Sequence, residues 1–250
     1  MSSKPPRVLF SETLLGSLLG LLFPPRCVVC RQVGTWLCPE CVNRLPRLSG
    51  PICYRCGIPV TDGICCKTCQ EFPPRLEGIR SVAPFRGPVR MAIHYLKYRH
   101  ARELADPLGE LMARYWRQNP LPAEVIVPVP LHPSRLRRRG YNQAALLAWA
   151  LSCRIGLPMD EDALCRLRAT ASQMRLKIAD RRRNVENAFQ CSTDRVRDRR
   201  VLLVDDVCTT GATLEACADA LRAGGAREVW ALTLARSFRT DDRMRNDAPG

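Results

Sequence analysis

The stretch VLLVDDVCTTGAT, residues 201–213, decides the fold of this 250-residue chain. Its first four residues are apolar and bounded by charges, which predicts a strand buried within a parallel sheet. Asp205 and Asp206 follow directly, and two adjacent carboxylates are costly unless hydroxyl groups or a metal-bound ligand meet them. The segment Thr209–Thr213 then supplies three hydroxyls, a glycine and the start of a helix. Together these features predict a cradle for a phosphate group.

Two other interpretations of this stretch were weighed against the cradle. A Walker B aspartate of a nucleotide triphosphatase requires a GxxxxGK[ST] loop, and the sequence contains none. A capped helix after a core strand fits the threonine-rich helix start, but it leaves the paired aspartates unexplained. Cys208 lies inside the cradle and is interpreted as a small space-filling residue rather than as a thiolate activated by the helix N-terminus.

Strand and helix patterns alternate on both sides of this stretch. Besides residues 201–204, strands are predicted at residues 79–85, 125–130 and 229–234, and helices at 91–98, 103–116, 141–153 and 211–223. Alternation of this length predicts an α/β fold, a parallel sheet with helices on both faces. Ligands of such sheets bind at the carboxyl ends of the strands, where the cradle lies.

The segment ahead of this α/β region is rich in cysteine. Nine of the 14 cysteines fall between residues 27 and 69, and one of them, Cys65, stands outside the CxxC pairs. Two such pairs can wrap one ion in a tetrahedral Cys₄ site with Zn–S distances near about 2.3 Å. The sequence therefore predicts structural zinc, with two Zn²⁺ ions, bound by Cys27, Cys30, Cys38, Cys41, Cys53, Cys56, Cys66 and Cys69. Sequential and interleaved pairing of the four CxxC pairs both stay open.

Other chemistry for these cysteines fits less well. A disulfide scaffold needs an oxidising compartment, iron–sulfur clusters use other spacings, and a thioredoxin-type redox pair does not come in fours. The leucine-rich residues 8–23 are followed by no small-residue cleavage site, and polar residues interrupt them, so neither a signal peptide nor a transmembrane segment is expected. An amphipathic helix at residues 1–24 and a cytoplasmic location are predicted instead.

Composition is that of a globular protein with a basic surface. The chain is 46% hydrophobic, and its formal net charge is +15, which falls to about +11 if eight cysteines bind two Zn²⁺ as thiolates. Residues 131–200 contain 16 Lys or Arg against 7 Asp or Glu. Such a local excess of positive charge points to an anionic partner, either phosphates or nucleic acid.

Residues 201–213 resemble the motif by which type I phosphoribosyltransferases bind 5-phosphoribosyl 1-pyrophosphate (PRPP). The resemblance is closer still to the ComF family, which couples that domain to an N-terminal double zinc ribbon. Six further segments carry the likeness, at residues 22–24, 96–98, 127–131, 139–143, 170–173 and 181–189. The resemblance implies a double zinc ribbon at residues 25–72, a phosphoribosyltransferase-like domain at 75–236 and a polar tail at 237–250.

The resemblance also implies roles for individual residues. Asp205 and Asp206 would be the catalytic pair and contact the ribose hydroxyls. Further PRPP contacts would come from Thr209, Thr210, Gly211, Ala212, Thr213, Arg137, Arg139 and Lys97. The loop after Pro130 would bind pyrophosphate, the basic stretch 166–183 would act as a mobile lid, and Mg²⁺ would bridge pyrophosphate and ribose oxygens.

Three functions follow from this resemblance. The chain is expected to transfer a phosphoribosyl group to an acceptor that the sequence does not identify, or to bind PRPP without turnover. Alternatively it binds single-stranded DNA and meets the DNA-uptake machinery during natural transformation. The basic residues 131–200 favour that alternative, since electrostatic binding of DNA needs such a surface. The sequence leaves the oligomeric state open.

Overall fold

A computed structural model describes residues 24–46, 48, 50–61, 64–168 and 187–238. Its helices and strands are α1 (Pro39–Asn43), α2 (Lys67–Glu71), β1 (Gly78–Pro84), α3 (Gly87–Tyr98), α4 (Ala105–Gln118), β2 (Val125–Pro128), α5 (Pro133–Arg139), α6 (Gln143–Ile155), β3 (Leu164–Arg166), β4 (Phe189–Cys191), β5 (Arg200–Cys208), α7 (Ala212–Ala223) and β6 (Glu228–Arg236). Short 3₁₀ turns lie at Arg102–Leu104 and Asp194–Val196. The helix predicted at residues 1–24 lies outside the described residues, as does most of the polar tail.

The cysteine-rich segment folds as two similar ribbons. The first ribbon (residues 24–46) contains an isolated bridge between Arg26 and Val33 and ends in α1; the second (residues 50–61 and 64–72) contains a bridge between Ile52 and Pro59 and ends in α2. In each ribbon the first cysteine of the leading CxxC pair opens a tight turn. Cys27 N–H donates to Gln32 O at 2.8 Å, and Cys53 N–H donates to Ile58 O at 2.8 Å. The equal spacing makes the two ribbons copies of one local design.

Four parallel strands form the central sheet in the order β1–β6–β5–β2. Alternate residues of β5 face opposite sides, so Leu202 and Val204 join one apolar cluster while Val201 and Leu203 join the other. The first cluster is completed by α3, α4 and α6, and the second by α7 and the hairpin β3–β4. The α/β fold with helices on both faces of a parallel sheet is confirmed, and the carboxyl ends of all four strands meet at one edge.

Several element boundaries differ from the sequence prediction. The central strand was predicted to end at Val204, but β5 continues to Cys208, because its pairing with β6 runs on to Arg236. The segment after Pro130 was predicted as a loop, yet residues 133–139 form α5, which has proline in its first turn and ends at Gly140 with φ 81°. Sequence analysis did not predict the hairpin β3–β4.

The first ribbon is not a separate appendage. Its buried residues Cys27, Val28 and Leu37 belong to the same apolar cluster as Ile93 and Leu96 of α3. The first ribbon and the α/β domain therefore share one core. Burial of apolar side chains such as Val28 and Leu37 contributes about 1.5–3 kcal/mol each to the stability of the fold. No helix in the described ranges is long and apolar enough to cross a membrane.

Candidate functional site

The two carboxylates of the motif lie on β5, two and three residues before its last residue, Cys208, at the cradle side of the sheet. Since successive side chains of a strand point to opposite faces, Asp205 and Asp206 face different surroundings. Asp206 is 2% exposed, and one of its oxygens, Oδ1, lies 2.8 Å from Nζ of Lys97 on α3. Its backbone N–H donates to Oδ1 of Asp205 at 2.8 Å. The strand therefore brings both acids and one cation together.

Asp205 is poised to change its protonation state near neutral pH. Burial, followed by repulsion from Asp206, raises the pKa of Asp205 to about 7, and the positive charge of Lys97 only partly opposes this. A carboxyl group in this state can either accept hydrogen bonds when ionised or donate one when protonated. A ligand that brings positive charge or hydroxyl donors to this position would favour the ionised form.

Lys97 lies on α3, but it is not a surface residue, because its side chain is only 21% exposed. Burial disfavours its charge, but the carboxylate of Asp206 outweighs that effect and raises the pKa of Lys97 above its ordinary value. The end of α3 is held in place by Tyr141, whose hydroxyl donates to Leu96 O at 2.5 Å. Lys97 is thus a largely buried ammonium group held against Asp206.

The cradle, defined as residues 209–213, joins β5 to α7. Gly211 has φ +88°, a backbone conformation that side chains rarely adopt, and it serves as the residue before the first turn of the helix. The first amide groups of an α-helix have no partner within the helix, and such helix starts favour anions; in this one the amide of Ala212 donates to Thr210 Oγ1 at 3.4 Å. Cys208, Thr209, Ala212 and Thr213 line a small pocket here together with Asp205.

Cys208 lines this pocket and contacts a buried arginine. Arg236, 4% exposed at the end of β6, donates from Nη1 to Cys208 Sγ at 2.7 Å. Burial raises the pKa of the Cys208 thiol to about 11, even though Arg236 acts to lower it. The thiol is therefore the neutral, space-filling group that the sequence indicated. Sequence analysis missed Arg236, although a charged residue closing the apolar run of β6 was a signal for it.

Two further basic residues that were predicted to contact PRPP, Arg137 and Arg139, lie on α5. Arg137 is exposed on α5, while Arg139 donates to Oε1 of Gln143 and stands over the ring of Tyr98 at 5.5 Å. Neither contacts the carboxylates in the described residues. The segment between β2 and α5 does lie next to β5, because Val129 N–H donates to Val204 O at 2.9 Å.

Arg166 on β3 is a further buried cation, and no site prediction named it. Its guanidinium lies 5.0 Å from the ring centre of Phe189, and burial followed by the charge of Arg135 lowers its pKa. The charge of Asp205 reaches it and acts in the opposite direction. Arg166 opens the basic stretch predicted to form a lid; residues 169–186 of that stretch lie outside the described residues.

Two groups of four cysteines are built for tetrahedral metal. Within each group the sulfur atoms lie within 4.8 Å of one another, and the groups are Cys27, Cys30, Cys38 and Cys41, and Cys53, Cys56, Cys66 and Cys69. This settles the pairing as sequential. Burial and the neighbouring thiols raise the pKa of Cys41 to about 12. Four sulfurs at these distances cannot all ionise without a cation between them, and Zn²⁺ meets that requirement.

Comparison with known proteins gives the same two parts. A double zinc ribbon domain model matches residues 18–70, and a phosphoribosyl transferase domain model matches residues 144–249. The DNA utilization protein YhgH of Escherichia coli strain K12 is 36% identical over 225 residues, which are 85% of this chain and 98% of that protein.

A second relative is Competence protein F of Haemophilus influenzae, 33% identical over 85% of this chain and 97% of that protein. Among solved structures, glutamine PRPP amidotransferase from Bacillus subtilis aligns with 57% of this chain and 30% of its own length, at 19% identity and a TM-score of 0.41. The ribbon and transferase domains occur together in this chain, and relatives at 33% and 36% identity match it over almost their full length, so the chain belongs to the ComF family.

Proposed function

We propose that the chain binds PRPP and Mg²⁺ at the carboxyl ends of β5 and β6 and transfers the phosphoribosyl group to an acceptor. The observation that carries the proposal is the arrangement of Asp205, Asp206 and Lys97. The two acids lie on β5 just before the cradle, and Lys97 forms an ion pair with Asp206. The cradle suits the 5′-phosphate, because a helix N-terminus and a glycine with positive φ offer amide groups to an anion. The acids suit the ribose hydroxyls, which are donors.

One atom of the acid pair fits an incoming polar group. Oδ2 of Asp206 is buried and, within the described part of the chain, has no hydrogen-bond partner. A buried unsatisfied oxygen is unfavourable, and a ribose hydroxyl or a water molecule on a metal ion would satisfy it. Mg²⁺ prefers carboxylate and phosphate oxygens and keeps several waters, so Asp205 and Asp206 are the residues that would hold it beside PRPP. Bound there, the ion would neutralise charge on the departing pyrophosphate.

The protein's part in the reaction is positioning and electrostatics. In the transfer the bond from C1 of ribose to pyrophosphate breaks, and a bond from C1 to the acceptor's nucleophilic atom forms. Positive charge develops on the ribose as pyrophosphate leaves, and the carboxylates of Asp205 and Asp206 would stabilise it. Lys97 would keep Asp206 oriented through their ion pair at 2.8 Å. Arg137 and Arg139 are proposed to act only on pyrophosphate.

Calorimetric titration of PRPP with Mg²⁺ tests the proposal. Wild-type protein carrying both zinc ions should bind saturably, and the Asp205→Ala/Asp206→Ala variant should lose binding by at least about 100-fold, since charged hydrogen bonds are removed. Asp219→Asn is the matched control, because it removes an exposed acid of α7 that pairs with Arg75. Absence of binding to the wild-type protein would overturn the proposal. Release of pyrophosphate, with and without candidate amines and bases, then separates transfer from binding alone.

Binding of single-stranded DNA is a second candidate, and one surface favours it. Tyr98 is 56% exposed; its ring lies 5.1 Å from that of His94 and beneath the guanidinium of Arg139. Exposed Arg137 and Arg138 continue this surface along α5. An aromatic ring flanked by arginines supports base stacking beside phosphate contacts. The relatives' names refer to DNA utilization and competence, which agrees with this candidate.

The salt dependence of binding distinguishes a real interface from general attraction. Affinity for a fluorescent single-stranded oligonucleotide should fall steeply between about 50 and 200 mM salt. The Arg137→Ala/Arg138→Ala variant should weaken binding and lower the salt slope by about two. Arg114→Ala/Arg117→Ala is the control, because it removes the same charge from arginines that pair with Glu110 on α4. Equal effects of the two variants would rule out the α5 surface.

A further inference from the structure

The two ribbons differ at one equivalent position. The residue after the leading CxxC pair has positive φ in both, but it is Arg31 (φ 68°) in the first ribbon and Gly57 (φ 73°) in the second. Arginine at this position proves that the turn itself does not require glycine. Gly57 must therefore meet a second demand, and its surroundings supply one. A Cβ atom at Gly57 would lie 2.4 Å from the carbonyl oxygen of Ile79, nearer than such atoms can approach.

Gly57 permits the second ribbon to pack closely on β1. Ile79 N–H donates to Arg55 O at 2.7 Å, and Nη1 of Arg80 donates to Tyr54 O at 2.9 Å. Both acceptors lie in the turn between Cys53 and Cys56, two ligands of the second zinc site. The first ribbon has no such link: within the described residues its hydrogen bonds stay inside it, and it reaches the α/β domain through apolar side chains and Arg31, which stacks on Tyr95 of α3.

The same residue of β1 also contacts the cradle. The Cδ1 atom of Ile79 would lie 3.3 Å from a Cβ atom at Gly211, the glycine with φ +88° that begins α7. The backbone of Ile79 is therefore fixed by the second ribbon while its side chain supports the cradle from below. Through these two contacts, Ile79 connects a zinc-binding turn to the proposed phosphate site.

Arg236 contacts the residue that precedes the cradle. Its guanidinium is buried and donates to Cys208. Its Nε has no hydrogen-bond partner among the residues that the structure describes. Arg236 thus packs against the start of the cradle from β6, and the contact between the second ribbon and the cradle runs through Ile79.

We propose that the second zinc site positions the cradle: metal bound by Cys53, Cys56, Cys66 and Cys69 holds the second ribbon against Ile79, and Ile79 sets the geometry of residues 209–213. Ile79 is a positioning residue, since it lies outside the proposed contact with PRPP. The inference rests on the proposed binding of PRPP, and it assigns the two zinc sites different roles.

A pair of glycine variants tests the contact without touching a zinc ligand. Gly57→Ala forces the ribbon away from Ile79, whereas Gly34→Ala adds a methyl group to the first ribbon at a glycine of φ +111° with nothing within 4 Å. Both proteins should retain two zinc ions by metal analysis. PRPP affinity should fall about tenfold in Gly57→Ala, roughly the effect of one lost hydrogen bond to a charged group, and stay within about twofold of wild type in Gly34→Ala.

Two single-ligand variants test the metal. Of the single-ligand variants, Cys69→Ser should lose both one zinc ion and PRPP affinity, while Cys30→Ser should lose one zinc ion with a smaller effect on affinity. If Gly57→Ala binds PRPP as tightly as wild type, the inference is wrong.

Hydrogen–deuterium exchange separates this inference from the proposed function. Amide exchange across residues 207–214 should be faster in Gly57→Ala than in Gly34→Ala without any ligand present. If wild type fails to bind PRPP but exchange differs in this way, the ribbon supports the cradle and the proposed ligand is wrong. Equal exchange in the two variants overturns the support itself, whatever the ligand.

Discussion

Asp205 makes both ligand binding and stability depend on pH. With its pKa raised to about 7 in the folded chain, against 3.8 ordinarily, the folded state keeps a proton that the unfolded state releases over that window. The contribution of Asp205 to the free energy of unfolding therefore falls as the pH rises from about 4 to 7, and it is smallest at the upper end of that range. The Asp205→Asn variant, which cannot lose a proton there, should gain stability over wild type as pH rises, measured by urea unfolding at pH 5 and pH 8.

PRPP affinity should change in the opposite direction with pH. The ionised carboxylate is the form that accepts ribose hydroxyls, so wild-type affinity should increase between pH 6 and 8. Asp205→Asn corrects for the protonation of PRPP itself, because the ligand titrates equally in both proteins. The same pH profile in the variant as in wild type would show that Asp205 does not control binding.

Lys97 is the residue whose loss leaves a buried charge without its partner. Its ion pair with Asp206, which is 3% exposed at the side chain, makes Lys97→Met destabilising by about 3 kcal/mol. The double variant Lys97→Met/Asp206→Asn should recover part of that loss, because the stranded carboxylate is gone. Urea unfolding of the three proteins measures this, and a double variant less stable than Lys97→Met would contradict it.

At the scale of elements, sequence patterns found the strands and helices but not where they stop. The apolar run predicted a strand ending at Val204, since aspartates are poor strand formers. The structure carries β5 to Cys208, because β6 pairs with Asp205, Val207 and Cys208. Local composition does not reveal which distant segments of the chain will pair as strands. The same reason explains why the short hairpin β3–β4 escaped prediction.

The turn from β5 to α7 should depend on glycine for its shape. Gly211→Ala places a side chain at φ +88° and 3.3 Å from Ile79, so it should cost about 1–2 kcal/mol of stability and weaken PRPP binding. Gly156→Ala, at φ +73° with open space around it, matches the backbone strain without the contact. Thermal unfolding and titration of PRPP compare them. Loss of affinity in both variants alike would point to general destabilisation instead.

At the scale of the molecule, the sequence predicted two zinc sites and an α/β domain, while their joint core required the structure. CxxC spacing identifies ligands, but it says nothing about which apolar side chains surround them. Because Cys27, Val28 and Leu37 pack with α3, removal of zinc by a chelator should lower the thermal unfolding temperature of the whole chain in one transition. Circular dichroism at wavelengths for helix and for tertiary packing checks this, and two separate transitions would indicate independent domains.

The second ribbon also affects how the protein behaves in crowded solution. Strand β1 lies at an edge of the sheet, and Arg55 accepts the hydrogen bond from Ile79 N–H that such an edge would otherwise offer to another chain. Exposed strand edges are templates for aggregation. A chain shortened to begin at residue 75 would uncover this edge, and we expect it to associate edge to edge and precipitate where the full chain stays dispersed. We therefore expect the second ribbon also to prevent self-association through the edge strand β1.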